Sequence, residues 1–324
     1  MNSPKNILVT GGAGFIGSHL VRGLVEEGHR VSVIDNFSTG RRETLAGLED
    51  RITLVEGDIR DPEAVGDLLG EVEAVFHQAA LPSVPRSFAD PVETTSVNTG
   101  GTLSLLEAAR KSGISLFVFA SSSSIYGDAA AEAKTEDLPP YPLSPYAVSK
   151  LAGEEFCRLY RKLYGLPTIG LRYFNVFGPG QDPESQYSAV LPLFITAVLE
   201  GRSPVIYGDG TQSRDFSYVE NVVRANLACL NAPEEAYGEV CNVACGERID
   251  LLGVLEILRE ISGRPVDPVF ADRRPGDVLH SRADISRAAG LIGYSPSVRF
   301  PEGLRRTYDH FAARFSQQGD QVSH

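Results

Sequence analysis

Short apolar runs alternate with amphipathic stretches along the first half of the chain. The apolar runs predict strands at 6–10, 31–35, 52–56, 74–77, 116–120 and 167–172. Apolar positions at helical spacing predict a helix from the glycine turn after the first strand to about Glu27, and further helices at 62–69, 92–112 and 145–164. Strands that alternate with helices are typical of a parallel sheet covered on both faces, because right-handed crossovers place the helices there.

The alternation ends after Arg172, and glycine turns at 178–180 and 208–210 interrupt the second half. Helices are predicted there at 189–200, 219–231, 251–262 and 301–315. We therefore predict an α/β fold, with a doubly wound parallel (Rossmann) sheet and a second, smaller C-terminal α/β lobe. Residues 1–173 with 215–243 are predicted to form the sheet domain, and 174–214 with 244–324 the lobe, with a ligand cleft between them.

Composition and charge limit the classes of function. The chain of 324 residues carries a formal net charge of −12, and its Lys and Arg residues form no basic run, which argues against a nucleic-acid-binding protein. The four cysteines have no zinc-binding spacing, so we expect reduced, mostly buried thiols and no metal. Neither a signal peptide nor an apolar stretch of about 20 residues is present, so the sequence favours a cytoplasmic protein without membrane contact.

A glycine-rich turn lies between the first predicted strand and helix. Gly11, Gly14 and Gly17 allow a tight turn, a close approach of the backbone to a pyrophosphate, and close packing of helix against strand. Their G-x-x-G-x-x-G spacing differs from the simplest dinucleotide fingerprint, and a generic turn is the alternative. Asp35 ends the second strand, where a carboxylate accepts hydrogen bonds from an adenosine ribose and repels a 2′-phosphate. The sequence therefore predicts NAD as cofactor, in preference to NADP.

Further positions after the predicted strands fit the same cofactor. Asp58 and Ile59 follow the third strand and are predicted to hold the adenine edge. The run Gln78-Ala79-Ala80 follows the fourth strand, and its small residues let a cofactor lie against the backbone. Asn98 lies in the next helix; the alternative for Asn98 is a polar group that neighbouring backbone satisfies.

Tyr146 and Lys150 lie on one face of a predicted helix. A free tyrosine has a pKa of about 10, so little phenolate exists at neutral pH. A nearby ammonium and an oxidised nicotinamide each favour the phenolate, which makes the pair an acid or base for a sugar hydroxyl. The spacing is common by chance, but a run of serines from Ser121 to Ser124 ends the fifth strand and supplies a hydroxyl for the same substrate group.

Together these segments resemble the extended short-chain dehydrogenase/reductases, and within them most resemble the nucleotide-sugar 4-epimerases, in particular those of UDP-N-acetylglucosamine. The matching segments run from end to end of the chain, at 10–17, 35–36, 57–58, 77–80, 98, 121–127, 144–150, 171–179, 214–219 and 274–277. The resemblance implies an isomerase with a resident NAD. Tyr146 would take the proton of the C4 hydroxyl while hydride passes to NAD, the 4-keto sugar would rotate, and hydride would return to its opposite face.

The resemblance also implies roles for individual residues. The implied catalytic residues are Ser122, Tyr146 and Lys150, although the register of the serine run leaves Ser121 and Ser123 open. The implied cofactor contacts are Gly11, Gly14, Phe15, Ile16, Gly17, Asp35, Asn36, Asp58, Ile59, Gln78, Ala79, Ala80, Asn98, Tyr146, Lys150 and Tyr173. The implied substrate contacts are Arg86, Ser123, Asn175, Val190, Tyr207, Arg214, Arg274 and Ser281, with the two later arginines on the diphosphate.

Two positions bear on the reaction and the sugar. Similar dehydratases carry an Asp-Glu pair at Ser123 and Ser124, and similar uronate decarboxylases carry Glu at Ser124, so serine at both favours epimerisation. Ser281 aligns with a tyrosine of epimerases restricted to glucose and galactose, and a serine leaves room for a 2-acetamido group. Residues 81–87 also resemble enzymes that prefer N-acetylated sugars.

We therefore predict interconversion of UDP-N-acetylglucosamine and UDP-N-acetylgalactosamine, with UDP-glucose and UDP-galactose as weaker substrates. Three alternatives stay open: an epimerase for UDP-glucose or a UDP-uronic acid, a simple dehydrogenase, and a non-catalytic NAD-binding sensor or scaffold. A homodimer is expected, because similar proteins pack the helix after Asn98 and the helix of Tyr146 into a four-helix bundle across two chains.

Overall fold

The apolar runs of the first half form the strands of one parallel sheet. The structure, a computed structural model, describes residues 3–182, 190–273 and 279–322. The strands are β1 (Asn6–Thr10), β2 (Arg30–Asp35), β3 (Ile52–Glu56), β4 (Ala74–His77), β5 (Leu116–Ser122), β6 (Thr168–Tyr173), β7 (Val176–Phe177), β8 (Val205–Tyr207), β9 (Ser213–Arg214), β10 (Ser217–Tyr218), β11 (Val240–Val243), β12 (Ile249–Asp250) and β13 (Val269–Ala271). Seven of them form the main sheet in the order β11-β6-β5-β4-β1-β2-β3. From β1 the chain adds β2 and β3 on one side, and then β4 and the later strands on the other side. Such sheets bind ligands at the point between β1 and β4 where this order changes.

Helices cover both faces of this sheet. They are α1 (Phe15–Glu26), α2 (Pro62–Leu68), α3 (Val84–Ala89), α4 (Pro91–Thr95), α5 (Thr102–Lys111), α6 (Pro145–Tyr164), α7 (Val190–Leu199), α8 (Val219–Cys229), α9 (Leu251–Ser262), α10 (Ser286–Ile292) and α11 (Phe300–Val322). A π-helical segment, Ser96–Gly101, joins α4 to α5. Neighbouring strand residues point to opposite faces, so Val9 packs in one core with α1 and α8, while Leu8 packs in the other with α5 and α6.

Local sequence determines where α6 begins and ends. The Ser144 hydroxyl accepts a hydrogen bond from the Ala147 amide at 3.1 Å, and Pro145 occupies the first turn. Gly165, with φ of 73°, ends the helix in the left-handed conformation that glycine adopts without strain. This start places Tyr146 in the first turn of the helix, directly beside the end of β5.

A further hydrophobic core lies in the C-terminal part of the chain, where α7, α9 and α11 pack together. Asp215 ties this part to the sheet, because its carboxylate accepts hydrogen bonds from the amides of Cys245 at 2.9 Å and Ala283 at 3.1 Å. Asp215 therefore anchors both the residues that follow β11 and the segment that contains Ser281.

The structure confirms the predicted fold class and differs in details. The helix predicted at 92–112 consists of α4, the π-helical segment and α5. The sequence did not predict α3, α10 or the seventh strand, β11. The predicted domain boundaries stay a proposal, since Ala288 and Ile292 of α10, assigned to the lobe, pack in the core of the sheet.

All four cysteines are buried and unpaired. Within the described ranges, no helix is long and apolar enough to cross a membrane.

Contact between α6 and β5 depends on Gly153. A Cβ atom there would lie 2.3 Å from the Phe119 ring, so we expect Gly153→Ala to displace the helix and lower the free energy of unfolding by about 1–3 kcal/mol. A Cβ atom on Gly66 in α2 would meet no atom of the described residues within 4 Å, so Gly66→Ala is the control and should be neutral or stabilising by up to about 1 kcal/mol. Urea unfolding of both variants measures the difference, and equal stabilities would contradict this account.

Candidate active site

The predicted site residues meet where β1, β4, β5 and β6 end. The glycine turn follows β1, and its backbone lies against the loop after β4. A Cβ atom on Gly11 would lie 2.7 Å from Ala79, and one on Gly17 only 2.1 Å from the carbonyl oxygen of Gly11. No side chain caps the N-terminus of α1 within the described ranges, so the first amides of that helix, around Phe15 and Ile16, are available to an anion. The turn therefore fits the pyrophosphate of a dinucleotide, as the sequence predicted.

Two carboxylates lie on the adenosine side of this turn. Asp35 is buried, and its two oxygens accept hydrogen bonds from the amides of Ala13 at 2.9 Å and Phe37 at 2.8 Å. Each oxygen keeps a further lone pair, so Asp35 both shapes the turn and can accept hydrogen bonds from a ribose. Hydrogen bonds from Arg60 lower the pKa of Asp58 to about 2, so this carboxylate is ionised throughout the physiological range.

Neighbouring residues complete the adenosine side. The side-chain amide of Asn36 donates to Asp58 at 3.2 Å, and Ile59 is buried beneath the loop. Asn36 therefore contacts the carboxylate that the sequence assigned to the adenine edge, and contact of Asn36 and Ile59 with a cofactor stays a prediction.

Gln78, Asn98 and Tyr173 make hydrogen bonds within the protein. The amide nitrogen of Gln78 donates to the Tyr173 hydroxyl at 3.1 Å, and this hydroxyl also pairs with the Asn226 side chain. The Asn98 oxygen accepts from the Leu81 amide at 2.7 Å, and its nitrogen donates to the Ser149 hydroxyl at 3.1 Å. Asn98 thus matches its alternative interpretation, a helix polar group satisfied by neighbours. Direct contact of these three residues with the cofactor stays a prediction.

The catalytic candidates come together at the junction of β5 and α6. The Ser122 side chain lies close enough to the Tyr146 hydroxyl to lower its pKa, and the Lys150 ammonium lies 5.9 Å from the centre of the Tyr146 ring. The Lys150 Nζ also donates to the Ala120 carbonyl at 2.8 Å. Ser121 is not brought to this cluster: its hydroxyl donates to Glu154 at 2.5 Å. The structure therefore places Ser122 beside Tyr146, and Ser121 elsewhere.

Burial acts against charge on this pair. Burial raises the pKa of Tyr146, against the effect of the nearby Ser122 hydroxyl. It lowers the pKa of Lys150 to about 8, which the negative charge of Glu154 opposes. The sequence predicted that the Lys150 ammonium favours the Tyr146 phenolate, and this stays a prediction. In the protein alone, desolvation has the larger effect on the Tyr146 hydroxyl and raises its pKa. A cationic nicotinamide is the other charge on which that prediction relied.

A cavity of about 270 Å³ is lined by residues that lie between Asn175 and Leu251 in the chain. Four residues with predicted substrate contacts line it together: Asn175, Val190, Tyr207 and Arg214. The sequence missed other lining residues, such as Gln212, Phe216 and Leu251. Apolar lining residues cannot be told from core residues by pattern, and Gln212 carried no motif that would have identified it.

The remaining substrate candidates do not line this cavity among the described residues, or fall outside them. The Ser281 amide donates to the Ser213 carbonyl at 3.0 Å, directly next to Arg214 in the chain. Ser123 lies in the short 3₁₀ turn after β5, and Arg86 lies half-buried on α3. Arg274 falls outside the described residues.

Comparisons with known proteins agree with this geometry. The model of the NAD dependent epimerase/dehydratase family matches residues 7–244. A UDP-glucose 4-epimerase of Mycolicibacterium smegmatis is 40% identical over 309 residues, which cover 94% of this chain and 97% of that protein.

Two solved structures extend the comparison. A UDP-N-acetylglucosamine 4-epimerase from Methanobrevibacter ruminantium M1, in complex with UDP-N-acetylmuramic acid, is 40% identical with a TM-score of 0.92, and the match covers 97% of this chain and 100% of that chain. A UDP-glucuronic acid 4-epimerase from Bacillus cereus, in complex with UDP-glucuronic acid and NAD, is 36% identical with a TM-score of 0.88, covering 95% and 99%. All three proteins are 4-epimerases of UDP-sugars, and the sugar differs among them.

Removal of the Tyr146 hydroxyl tests the cluster. We expect Tyr146→Phe to reduce turnover of a UDP-sugar by about 100-fold or more, because no group remains to exchange the proton, while bound NAD is retained. Tyr160→Phe on the same helix is the control, since its hydroxyl bonds Glu107 and lies away from the cluster. Formation of the 4-epimer measures both, and near-normal turnover of Tyr146→Phe would refute the assignment.

Proposed function

We propose that the substrates of this protein are UDP-N-acetylglucosamine and UDP-N-acetylgalactosamine. The premise is that the chain belongs to the NAD dependent epimerase/dehydratase family and is an NAD-dependent UDP-sugar 4-epimerase. UDP-glucose and UDP-galactose are the weaker pair. The observation that carries the choice of sugar is the serine at position 281, where epimerases restricted to the plain sugars have a tyrosine.

The position of Ser281 supports this choice. Its backbone pairs with Ser213, and Arg214 follows in the wall of the cavity. Ser281 is half-buried, so its side chain occupies little of the space that a tyrosine ring would fill. A bulky substituent on carbon 2 of the sugar needs space of that kind.

The serine run supports epimerisation over related reactions. Ser123 and Ser124 form the 3₁₀ turn directly after Ser122, so the neighbourhood of the reacting carbon has hydroxyls where dehydratases and decarboxylases have acids. The Ser124 hydroxyl is buried and has no hydrogen-bond partner among the described residues. A hydroxyl at this position can bind a sugar oxygen but cannot serve as the acid for elimination of water.

The chain's own residues perform the proton transfers. NAD held at the glycine turn would supply the acceptor for the hydride of carbon 4 and the donor for its return. Tyr146 takes the proton of the C4 hydroxyl and gives it back, Ser122 aligns that hydroxyl, and Lys150 favours the Tyr146 phenolate. Arg214 and Arg274 hold the diphosphate, so the nucleotide stays bound while the 4-keto sugar rotates. We assign the cofactor contacts to the residues around the glycine turn, Asp35 and Asp58.

A UDP-uronic acid is the second candidate, and Arg86 favours it. This guanidinium is half-buried on α3 and has no acidic partner in the part of the chain that the structure describes. A sugar carboxylate would supply that partner. The helix of Arg86 begins at Ser83, whose φ of 99° is strained for a residue other than glycine, as at many ligand sites.

One experiment separates these functions. The purified protein is incubated with UDP-N-acetylglucosamine, UDP-glucose and UDP-glucuronic acid in turn, and the epimers are resolved by NMR. We expect the acetylated sugar to be converted fastest. Preference for another sugar overturns the choice of substrate, net NADH formation indicates a dehydrogenase, and no epimer from any of them favours the sensor or scaffold.

Enlargement of Ser281 tests the specificity directly. We expect Ser281→Tyr to lower kcat/KM for the acetylated pair about tenfold more than for the plain pair, because the ring fills the space of the 2-acetamido group. Ser286→Tyr is the control, since Ser286 is exposed at the start of α10. Steady-state kinetics measures the change in kcat/KM for each pair of sugars, and equal changes for the two pairs would contradict the proposal.

We further propose that the protein is a homodimer through α4, α5 and α6. Val148 and Leu163 lie on one face of α6 and are 52% and 63% exposed, and Val92 on α4 is 79% exposed. Exposed apolar residues that share one surface favour burial against a partner, and the same surface on a second copy is self-complementary.

A charge on this surface tests the dimer. We expect Val148→Glu to shift the protein to monomers in sedimentation velocity, because the interface would bury an unpaired carboxylate. Phe270→Glu, at a residue that is 55% exposed on β13, is the matched control and should leave the oligomeric state unchanged. A wild-type monomer, or a Val148→Glu dimer of wild-type stability, would contradict the proposed interface.

A further inference from the structure

A buried ion pair lies directly behind the catalytic cluster. The side chains of Arg172 on β6 and Glu154 on α6 are 5% and 4% exposed. The guanidinium makes two hydrogen bonds to the carboxylate, at 2.8 Å from Nε and 2.7 Å from Nη2. This bidentate geometry fixes the orientation of both side chains. Desolvation offsets much of the attraction in such a pair, so stability alone does not account for its presence.

Glu154 is linked to the strand end that carries Ser122. The Ser121 hydroxyl donates to the same Glu154 oxygen that accepts from Arg172 Nε. Side chains of consecutive strand residues point to opposite sides, so the anchor on Ser121 also sets the direction in which Ser122 points. The Ser122 side chain in turn lies beside the Tyr146 hydroxyl and lowers its pKa.

Glu154 is also linked to Lys150, which lies one helical turn before it on the same face. Tyr146 and Glu154 face Lys150 from its own helix, and His77 faces it from β4. Burial lowers the pKa of His77 to about 3, so this imidazole brings no charge. From β5 the ammonium meets the Ala120 carbonyl and the ring of Phe119, 5.1 Å away. Glu154 is therefore the anion that favours the ammonium form of Lys150.

We propose that Glu154, held by Arg172, is a positioning residue for the epimerase reaction: through Ser121 it directs Ser122, and through its charge it keeps Lys150 in the ammonium form. The inference rests on the 4-epimerase chemistry and not on which UDP-sugar is the preferred substrate. The side-chain hydrogen bonds of Glu154 among the described residues go to Ser121 and Arg172, so its proposed effect on the reaction is indirect.

The same network offers a matched control. On the far side of the ion pair, Arg172 Nη1 donates to the Tyr126 hydroxyl at 2.8 Å, and this hydroxyl donates to Asn242 at 2.7 Å. Tyr126→Phe removes both buried hydrogen bonds but leaves Ser121 and the charge of Glu154 in place. A purely structural role of the network predicts that this variant resembles loss of Glu154.

Three variants of the NAD-loaded enzyme test the proposal. Ser121→Ala removes the link to the strand end and keeps the ion pair. The double variant Glu154→Gln/Arg172→Met removes the charge without leaving an unpaired guanidinium in the core. Tyr126→Phe is the control. The chain has five lysines, Lys5, Lys111, Lys134, Lys150 and Lys162, so NMR of ¹³C-labelled lysine follows Lys150, assigned by loss of its signal in Lys150→Met.

We expect Ser121→Ala to lower kcat about tenfold with little change in KM and no change in the titration of Lys150. The double variant should lower kcat and shift the Lys150 titration about one pH unit downward, because the favourable charge is gone. The alkaline limb of its pH–kcat profile should shift in the same direction. Tyr126→Phe should leave kcat and the titration close to wild type.

Several outcomes would overturn the proposal. Wild-type kcat in Ser121→Ala overturns the positioning of Ser122, and this result is informative even if the double variant does not fold. A wild-type Lys150 titration in the folded double variant overturns the electrostatic part. Equal losses in Tyr126→Phe and the double variant indicate a structural role alone. If the wild type converts no UDP-sugar, the proposed function fails, whereas the lysine titration still tests the charge of Glu154.

Discussion

The close contact between α6 and β5 is the constraint on which the site depends. Gly153 lets the helix lie against the ring of Phe119, where no larger residue fits without displacement. At this distance the Lys150 ammonium reaches the Ala120 carbonyl, and Tyr146 reaches Ser122. The reacting groups therefore belong to a helix and a strand that pack rigidly, and not to loops, which suits chemistry that tolerates little displacement.

The burial that comes with this contact disfavours charge at the site. It favours the neutral forms of both residues of the pair, because it raises the pKa of Tyr146 and lowers the pKa of Lys150. In a region of low dielectric each further charge has a large effect. The protein supplies one such charge through Glu154, and an oxidised nicotinamide supplies another. In the proposed mechanism, this arrangement would couple acid–base chemistry to the presence of the cofactor, because a bound oxidised nicotinamide would favour the Tyr146 phenolate.

Much of the fold followed from local patterns. Strands buried on both faces have continuous apolar runs, and α6 has a capping serine, a proline and a terminal glycine at the expected positions. The pattern failed where tertiary contacts replace local preference. β11 is short and contains Asn242, whose polar side chain is satisfied by hydrogen bonds to distant backbone carbonyls of Lys134 and Asp284. The π-helical turn at Asn98 has no periodic signal of its own.

The sequence by itself determined the family, the cofactor class and the type of reaction, because these depend on residue types at short, fixed spacings. The glycine turn, the Tyr146–Lys150 pair and the serine run are all local features. Only the tertiary structure decided that Ser122 and not Ser121 lies beside Tyr146, that burial raises the pKa of Tyr146, and that Asn175, Val190, Tyr207 and Arg214 line one cavity. Each of these depends on contacts between segments far apart in the chain, and on the water that those contacts exclude.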